Sequence, residues 1–380
     1  MIYFDNNATT PVAAPVFDAM RPFLEASFGN PSSAYSLAQD AREAVERARE
    51  SVASLLGAHL PNEIVFTSCG TESDNWAIRG ALQLRQMNSV VTTRVEHDAV
   101  RKLCLDLGKR GTNVTWLDVD SDGRLDLDHL RAAVTADTAV VSVMLANNET
   151  GILFPVAEIA SIVKEHSNAL VHVDGVNAVG KIPVDLKNTA IDLFSISAHK
   201  FYGPKGIGAL YIREGVNLPS ALIGGGQEQG RRAGTEAVHQ LAGIGAAAEF
   251  VSDLAAMETV RALRDRLESG ILNSISNAIL NGTSDPAVRL PNTSSISFAN
   301  TNGEMILARL DALGICVSTG SACNSADHSA SPVLQAMNIP YATAMGSIRF
   351  SLGRFNTDAE VDRVLNVLPG IINELNALNG

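Results

Sequence analysis

Five short apolar runs in this 380-residue chain end in side chains that can do chemistry. Cys69-Gly70-Thr71 follows the run at 64–67, Glu96-His97 the run at 90–93, and Asn147-Asn148-Glu149 the run at 139–145. Asp174 closes the run at 170–173, and Ser197, His199 and Lys200 follow 193–196. In an open parallel α/β sheet, ligands bind beyond the carboxyl ends of the strands. If the runs are such strands, their endings bring a phosphate-type turn, an imidazole, amides, a carboxylate and an amine to one edge. Loops are polar anyway because they lie in water. That accounts for any one ending and accounts poorly for all five.

Pyridoxal phosphate needs this set. Its aldehyde takes a lysine, and its ring draws electrons only if a carboxylate keeps the ring nitrogen protonated. Its phosphate suits backbone N–H groups at a helix start, which Gly70-Thr71 opening a helix at Glu72 would supply. An imidazole such as His97 can stack on the ring and move protons. Asp174 and Lys200 close successive strand candidates 26 residues apart, a length for one crossover, so they can sit side by side.

Other residues read differently. Lys200 lies beside the Gly/Pro turn Tyr202-Gly203-Pro204-Lys205-Gly206, which suits close packing near a ligand. His172 precedes Asp174 by two residues on the same strand face; no third metal ligand accompanies them, so it reads as packing. Gly243-Ile244-Gly245-Ala246-Ala247-Ala248 fits GxGxxA but lies in an Ala-rich helical run, not after a strand, and fails as a dinucleotide motif. The stretch 317–332 is small, polar and glycine-bearing, and reads as an exposed loop carrying Cys323. A free thiol is about 3% thiolate at pH 7, and cysteine is a strong nucleophile even so. Cys69, Cys104 and Cys316 read as structural.

The elements that position these residues follow from periodicity. Helical spacing runs through 36–57 and 156–166, and further strands fall at 114–117 and 208–212. Strands alternating with helices imply βαβ units and a largely parallel sheet. An Ala-rich helix is expected over 237–268, with a domain boundary inside it near 255. Beyond it, strands at 296–298 and 348–351 with helices at 304–313 and after 358 suit a smaller α+β domain.

Composition bounds the function. A net charge of -12 argues against a general binder of nucleic acid or anionic membrane, since phosphate attraction needs clustered cations. No apolar stretch approaches the roughly 18–20 residues of a spanning helix. The start, Met1-Ile2-Tyr3-Phe4-Asp5-Asn6-Asn7, lacks the pattern of a signal peptide. The four cysteines include no CxxC pair, so neither a disulfide framework nor a zinc site is expected. The expectation is a cytoplasmic enzyme.

With Tyr3-Phe4-Asp5-Asn6-Asn7-Ala8-Thr9-Thr10, Gly29-Asn30-Pro31-Ser32-Ser33, Cys69-Gly70-Thr71-Glu72-Ser73-Asp74-Asn75, Glu96-His97, Asn147-Asn148-Glu149-Thr150-Gly151, His172-Val173-Asp174, Ser197-Ala198-His199-Lys200, Arg232-Ala233-Gly234-Thr235, Gly320-Ser321-Ala322-Cys323 and Ile348-Arg349-Phe350-Ser351, the chain resembles cysteine desulfurases of the NifS/IscS type. These belong to the class V aminotransferase group of fold-type I pyridoxal-phosphate enzymes. The Cys-Gly-Thr-Glu-Ser form and the ending Arg354-Phe355-Asn356-Thr357 resemble the nitrogen-fixation branch most.

The resemblance implies an α/β protein: a large domain at 14–255 with a mainly parallel seven-stranded sheet flanked by helices, and a small α+β domain from 1–13 and 256–380 carrying the cysteine loop. It implies that Lys200 bonds the cofactor and shuttles the Cα proton, Asp174 pairs with the ring nitrogen, and His97 stacks and serves as acid/base. Gly70, Thr71, Ser197 and His199 would hold the phosphate, with Thr235 from the second subunit of a homodimer. Asn148 and Arg349 would grip the carboxylate of L-cysteine. Cys323 would take the sulfur as a persulfide, release alanine, and pass the sulfur to an iron–sulfur scaffold protein. Asn177 stands where the family usually has Gln beside the cofactor's phenolic oxygen; being one methylene shorter, it suits a water bridge. Tyr35 replaces the usual His and is given no role. Selenocysteine lyases and other transferases use the same scaffold, and an aminotransferase would not need Cys323. A sulfur-carrying partner without turnover is the remaining alternative.

Overall fold

The computed structural model describes residues 1–319 and 330–379. Cys323, with the rest of residues 320–329 of the expected loop, lies outside them.

Seven apolar runs form one sheet in the order Ile64–Thr67, Gly208–Ile212, Leu193–Ser197, Leu170–Asp174, Val140–Met144, Ser89–Thr93 and Asn113–Leu117. Pairing is parallel except where Gly208–Ile212 runs against both of its neighbours. The sheet is mainly parallel, as the alternation of strands and helices implies.

Successive residues of a strand point to opposite faces. Val90, Val140, Leu170 and Leu193 pack in one apolar cluster, and the next residues, Val91, Val141, Val171 and Phe194, pack in another. Helices cover both faces, so the runs are apolar without alternation. Each such side chain contributes about 1.5–3 kcal/mol by leaving water. Gly245 belongs to this packing. A Cβ there would lie 2.7 Å from the Ala48 backbone, so the glycine lets the helices Gln39–Leu55 and Val238–Ser252 touch.

The expected single helix over 237–268 is two helices, Val238–Ser252 and Ala256–Ser274. Arg354 causes the first to stop. Its guanidinium donates to the carbonyls of Phe250, Val251 and Asp253, groups a continuing helix would use itself. Beyond the break a separate apolar cluster joins Phe4, Leu267, Phe298, Phe350 and Ile372. It surrounds the antiparallel sheet of Ala278–Leu280, Thr293–Phe298 and Ser347–Ser351. Ile2–Tyr3 pairs with Ile315–Cys316, so the chain's first residues lie against its last third. Ala330, Val333, Leu334 and Met337 do not follow their neighbours; they pack in the large cluster with Phe154 and Met144.

Among the described residues, no helix is long and apolar enough to cross a membrane.

Candidate active site

The carboxyl ends of the parallel strands open into a cavity of about 330 Å³. Asp174 ends its strand in register with Ser195 of the neighbouring strand, whose chain turns through Ala198–Lys200 to present Lys200. Both line the cavity, as do Gly70, Thr71, His97, Asn148, Asn177, Ser197, His199 and Arg349. Thr235 is exposed in this chain and does not line it. Cys323 lies outside the described residues. Cys69, expected to be structural, is half-exposed and forms part of the cavity wall.

Gly70 opens the helix Gly70–Arg85, and a Cβ on it would lie 2.7 Å from Val176 Cγ2. Glycine thus keeps the helix start against the end of the Asp174 strand, with early N–H groups facing outward. Arg232 secures this end by donating to both oxygens of Glu72 at 2.9 and 3.1 Å. Glu228 anchors the same segment, pairing with buried Arg49 and accepting from the Phe66 N–H. His97 caps the helix Asp98–Lys109; its Nδ1 accepts from the Ala99 N–H at 3.2 Å, so a neutral ring carries its proton on Nε2.

Lys200 Nζ donates to the carbonyls of Asn7 at 2.5 Å and Ala8 at 3.0 Å. Arg349 donates to Asp5 Oδ1 at 2.6 Å and to the Asn148 carbonyl at 2.9 Å, while its buried Nε has no hydrogen-bond partner among the described residues. His199 bonds Thr9 Oγ1 at 3.1 Å; burial and the nearby Lys200 and Lys205 push it down to about 4, so it is neutral at pH 7.

Burial raises the acids. Asp174 is pushed up to about 6 by burial and by the Asp74 carboxylate, against the pull of His97 and His172. Asp74 is pushed up to about 7 by burial, against the pull of Ser195 and His97, and its Oδ1 lies 3.5 Å from His172 Nε2. Glu96 is raised well above the usual range by burial, with Asp174 and Asp74 adding to it. His172, read as packing, is fully buried between Ser142 Oγ at 2.8 Å and Ser195 Oγ at 2.9 Å, and burial lowers it to about 4.

Asn7, Asp74 and Lys181 carry roles that the strand-end pattern does not reveal. Asn7 and Asp74 stand inside motifs without strand-end signals of their own, and Lys181 stands in a turn. The spacing of four from Asn177 to Lys181 is the one local hint, and their side chains do meet.

These residues fit pyridoxal phosphate. A buried acid able to keep a ring nitrogen protonated, an amine one strand away, a helix start that only glycine can hold so close, and the buried Nε of Arg349 without a hydrogen-bond partner among the described residues make one set. The fold and this set define a pyridoxal-phosphate enzyme of fold type I. The chain belongs to the class-V aminotransferase family, whose model matches residues 2–364. It is 50% identical to "Cysteine desulfurase 2" of Trichormus variabilis, over 100% of this chain and 95% of that one. It is 48% identical to "Cysteine desulfurase NifS" of Azotobacter vinelandii, over 98% and 93%. A solved "NIFS-LIKE PROTEIN" superimposes with a TM-score of 0.91 at 40% identity, covering 98% of this chain and 100% of that one.

Proposed function

We propose that this chain is a pyridoxal-phosphate-dependent cysteine desulfurase of the nitrogen-fixation type, converting L-cysteine to L-alanine and leaving sulfur on Cys323. The observation that carries it is Lys200 and Asp174 at neighbouring strand ends of one cavity that Arg349 also lines. When bound, pyridoxal phosphate supplies an aldehyde for amines and a ring that accepts electrons. Lys200 would hold it covalently and would move the proton at the substrate Cα through Nζ. Asp174 would hold a proton at the ring nitrogen. His97 would lie against the ring and offer its Nε2 proton. Gly70, Thr71, Ser197 and His199 would hold the phosphate. Arg349, with Asn148, takes the substrate carboxylate, exchanging part of its contact with Asp5 for it. The Cys323 thiolate attacks the substrate sulfur: one carbon–sulfur bond breaks, one sulfur–sulfur bond forms, and Cβ gains the proton that makes alanine.

The working unit in this reading is a cytoplasmic homodimer that passes sulfur to an iron–sulfur scaffold protein. Thr235 reaches the phosphate of the second copy, and the exposed apolar residues Leu222 and Ile223 offer surface for that copy to cover. The separate apolar clusters support a large domain at 14–255 and a small one from 1–13 and 256–380, the latter sending Ala330 to Met337 onto the former. The test is incubation with L-cysteine, following alanine, sulfide and the mass of the Cys323 peptide. Alanine with a one-sulfur mass gain is expected. Alanine formation that survives Cys323→Ala overturns the persulfide step. Failure to gain a visible band with pyridoxal phosphate overturns the cofactor assignment.

A further inference from the structure

Lys181 is buried, and among the described residues no carboxylate pairs with it. Its Nζ donates to Asn7 Oδ1 at 2.9 Å, Asn177 O at 2.9 Å and Asn177 Oδ1 at 2.8 Å, which occupies every donor of a charged amine. The charged groups that act on it, Lys200 and Arg349, are both positive, and burial with these neighbours holds it well below the ordinary lysine range. A buried amine in such company is costly, and an apolar side chain would fill the space more cheaply.

Its partners explain it. The Asn7 carbonyl accepts from Lys200 Nζ, and the Asn7 side chain donates to the Asn148 carbonyl at 3.1 Å, the same oxygen that Arg349 reaches. Asn177 is part of the cavity wall. The three acceptors around Nζ match the ammonium form, which can only donate, and in that form Lys181 fixes which edge of the Asn177 amide is which. Oδ1 turns to the amine, leaving Nδ2 as the edge with N–H bonds. Nδ2 makes one long bond, 3.4 Å to the Asn147 carbonyl, and keeps a second N–H.

We propose that Lys181 is a positioning residue of this site: it orients the Asn177 amide so that an N–H is offered to the bound cofactor, and it steadies the Asn7 backbone that holds Lys200. This rests on the pyridoxal-phosphate reading and deepens it. It gives the shorter Asn177 a fixed donor direction.

The test loads wild type, Lys181→Met, Lys181→Gln, Asn177→Ala and the Met/Ala double variant with pyridoxal phosphate, and titrates the visible absorbance against pH. Losing a donor to the phenolic oxygen favours the protonated form. Lys181→Met should therefore raise the midpoint by about one pH unit. Asn177→Ala should raise it in the same sense, and the double variant should add little to Lys181→Met. An unchanged midpoint in Lys181→Met, or full additivity in the double variant, overturns the proposal even if the thermal midpoint of the cofactor-free protein falls, because that fall alone marks a structural lysine. If Lys181→Met does not fold, Lys181→Gln, which keeps a polar group with N–H bonds but no charge, is read by the same criteria. Wild type that forms no visible band, and no borohydride-stable bond at Lys200, overturns the cofactor reading and this proposal together. A wild-type band that titrates but stays put in the variants overturns this proposal alone.

Discussion

Asp74, Glu96 and Asp174 act on one another across one part of the site, and Lys181, Lys200 and Arg349 across another. The two sets contrast with the protein's structural ion pairs, where Arg289 meets Glu268 through two hydrogen bonds at 3.0 and 2.6 Å and each charge is answered at once. In the site Arg349 pairs with Asp5, but the three acids act on one another and Lys181 has two cations for neighbours, and burial drives the acids up and Lys181 down. Such an arrangement is unfavourable in the empty protein. It becomes favourable when a ligand brings a cation to the acids and anions to the bases, which a protonated ring nitrogen, a phosphate and a substrate carboxylate would do.

The contrast breaks most severely at Lys200. Lys200→Ala should lower alanine formation by at least about 10³-fold while leaving the fold intact by circular dichroism. Retention of wild-type turnover would mean that the amine is not the reacting group. Asp174→Ala should cost on the order of 10²–10³-fold in kcat, with the visible band altered in its pH response.

Asp74→Asn sharpens the acid side. Asp74 ordinarily titrates near 3.8 and is pushed up to about 7 in the fold, so the neutral form is the one the fold prefers. The stability tied to that neutral form is complete below about pH 4 and is lost as pH rises through 7. Asp174, raised to about 6, and Glu149, raised to about 7, have the same sign. The cofactor-free protein should melt lower at pH 8 than at pH 5, and Asp74→Asn should recover on the order of 2–4 kcal/mol at pH 8 and less at pH 5. Denaturant melts at the two pH values decide this; equal effects at both would remove Asp74 from the acid set.

On the basic side, Arg349→Lys keeps the charge and loses the fork, and should raise the KM for L-cysteine about tenfold with a smaller change in kcat. The smallest effect belongs to the margin between the sets. Ser331 caps the helix Pro332–Ala336 and bonds Glu149 Oε2 at 2.5 Å. Ser331→Ala should cost about 1 kcal/mol in stability, read from urea melts.

Asp174, Glu96 and Lys200 were legible in the sequence because they close or follow strands. Short apolar runs with abrupt polar endings betray both the sheet and its ligand edge, so Asp174, His97, Gly70 and Lys200 can be located without knowing any tertiary contact. The basic side was legible only through the family resemblance, which marked Arg349. Its geometry depends on Asp5 and Asn7 meeting residues 349 and 181, and no local pattern encodes a contact across hundreds of residues. Asp74 lies within a helix, where a polar residue ordinarily signals solvent. The break at 253–255 escaped for the same reason as Asp5: Ala-rich periodicity continues through it, and the cause, Arg354, lies a hundred residues further on.

Residues 2–10 have a consequence for biosynthesis. Asn7 bonds Asn292, Thr293 and Ser351, and Asp5 bonds Arg349, all of them residues made long after this segment. Residues 2–10 must wait for these partners until residues 285 to 344 positions further along have been made. The large sheet can assemble earlier, but its ligand edge stays unfinished until then. A nascent chain stalled before residue 349 would carry Lys200 and Asp174 while Asp5 still lacked its Arg349 partner, so the site is completed only after that residue has emerged.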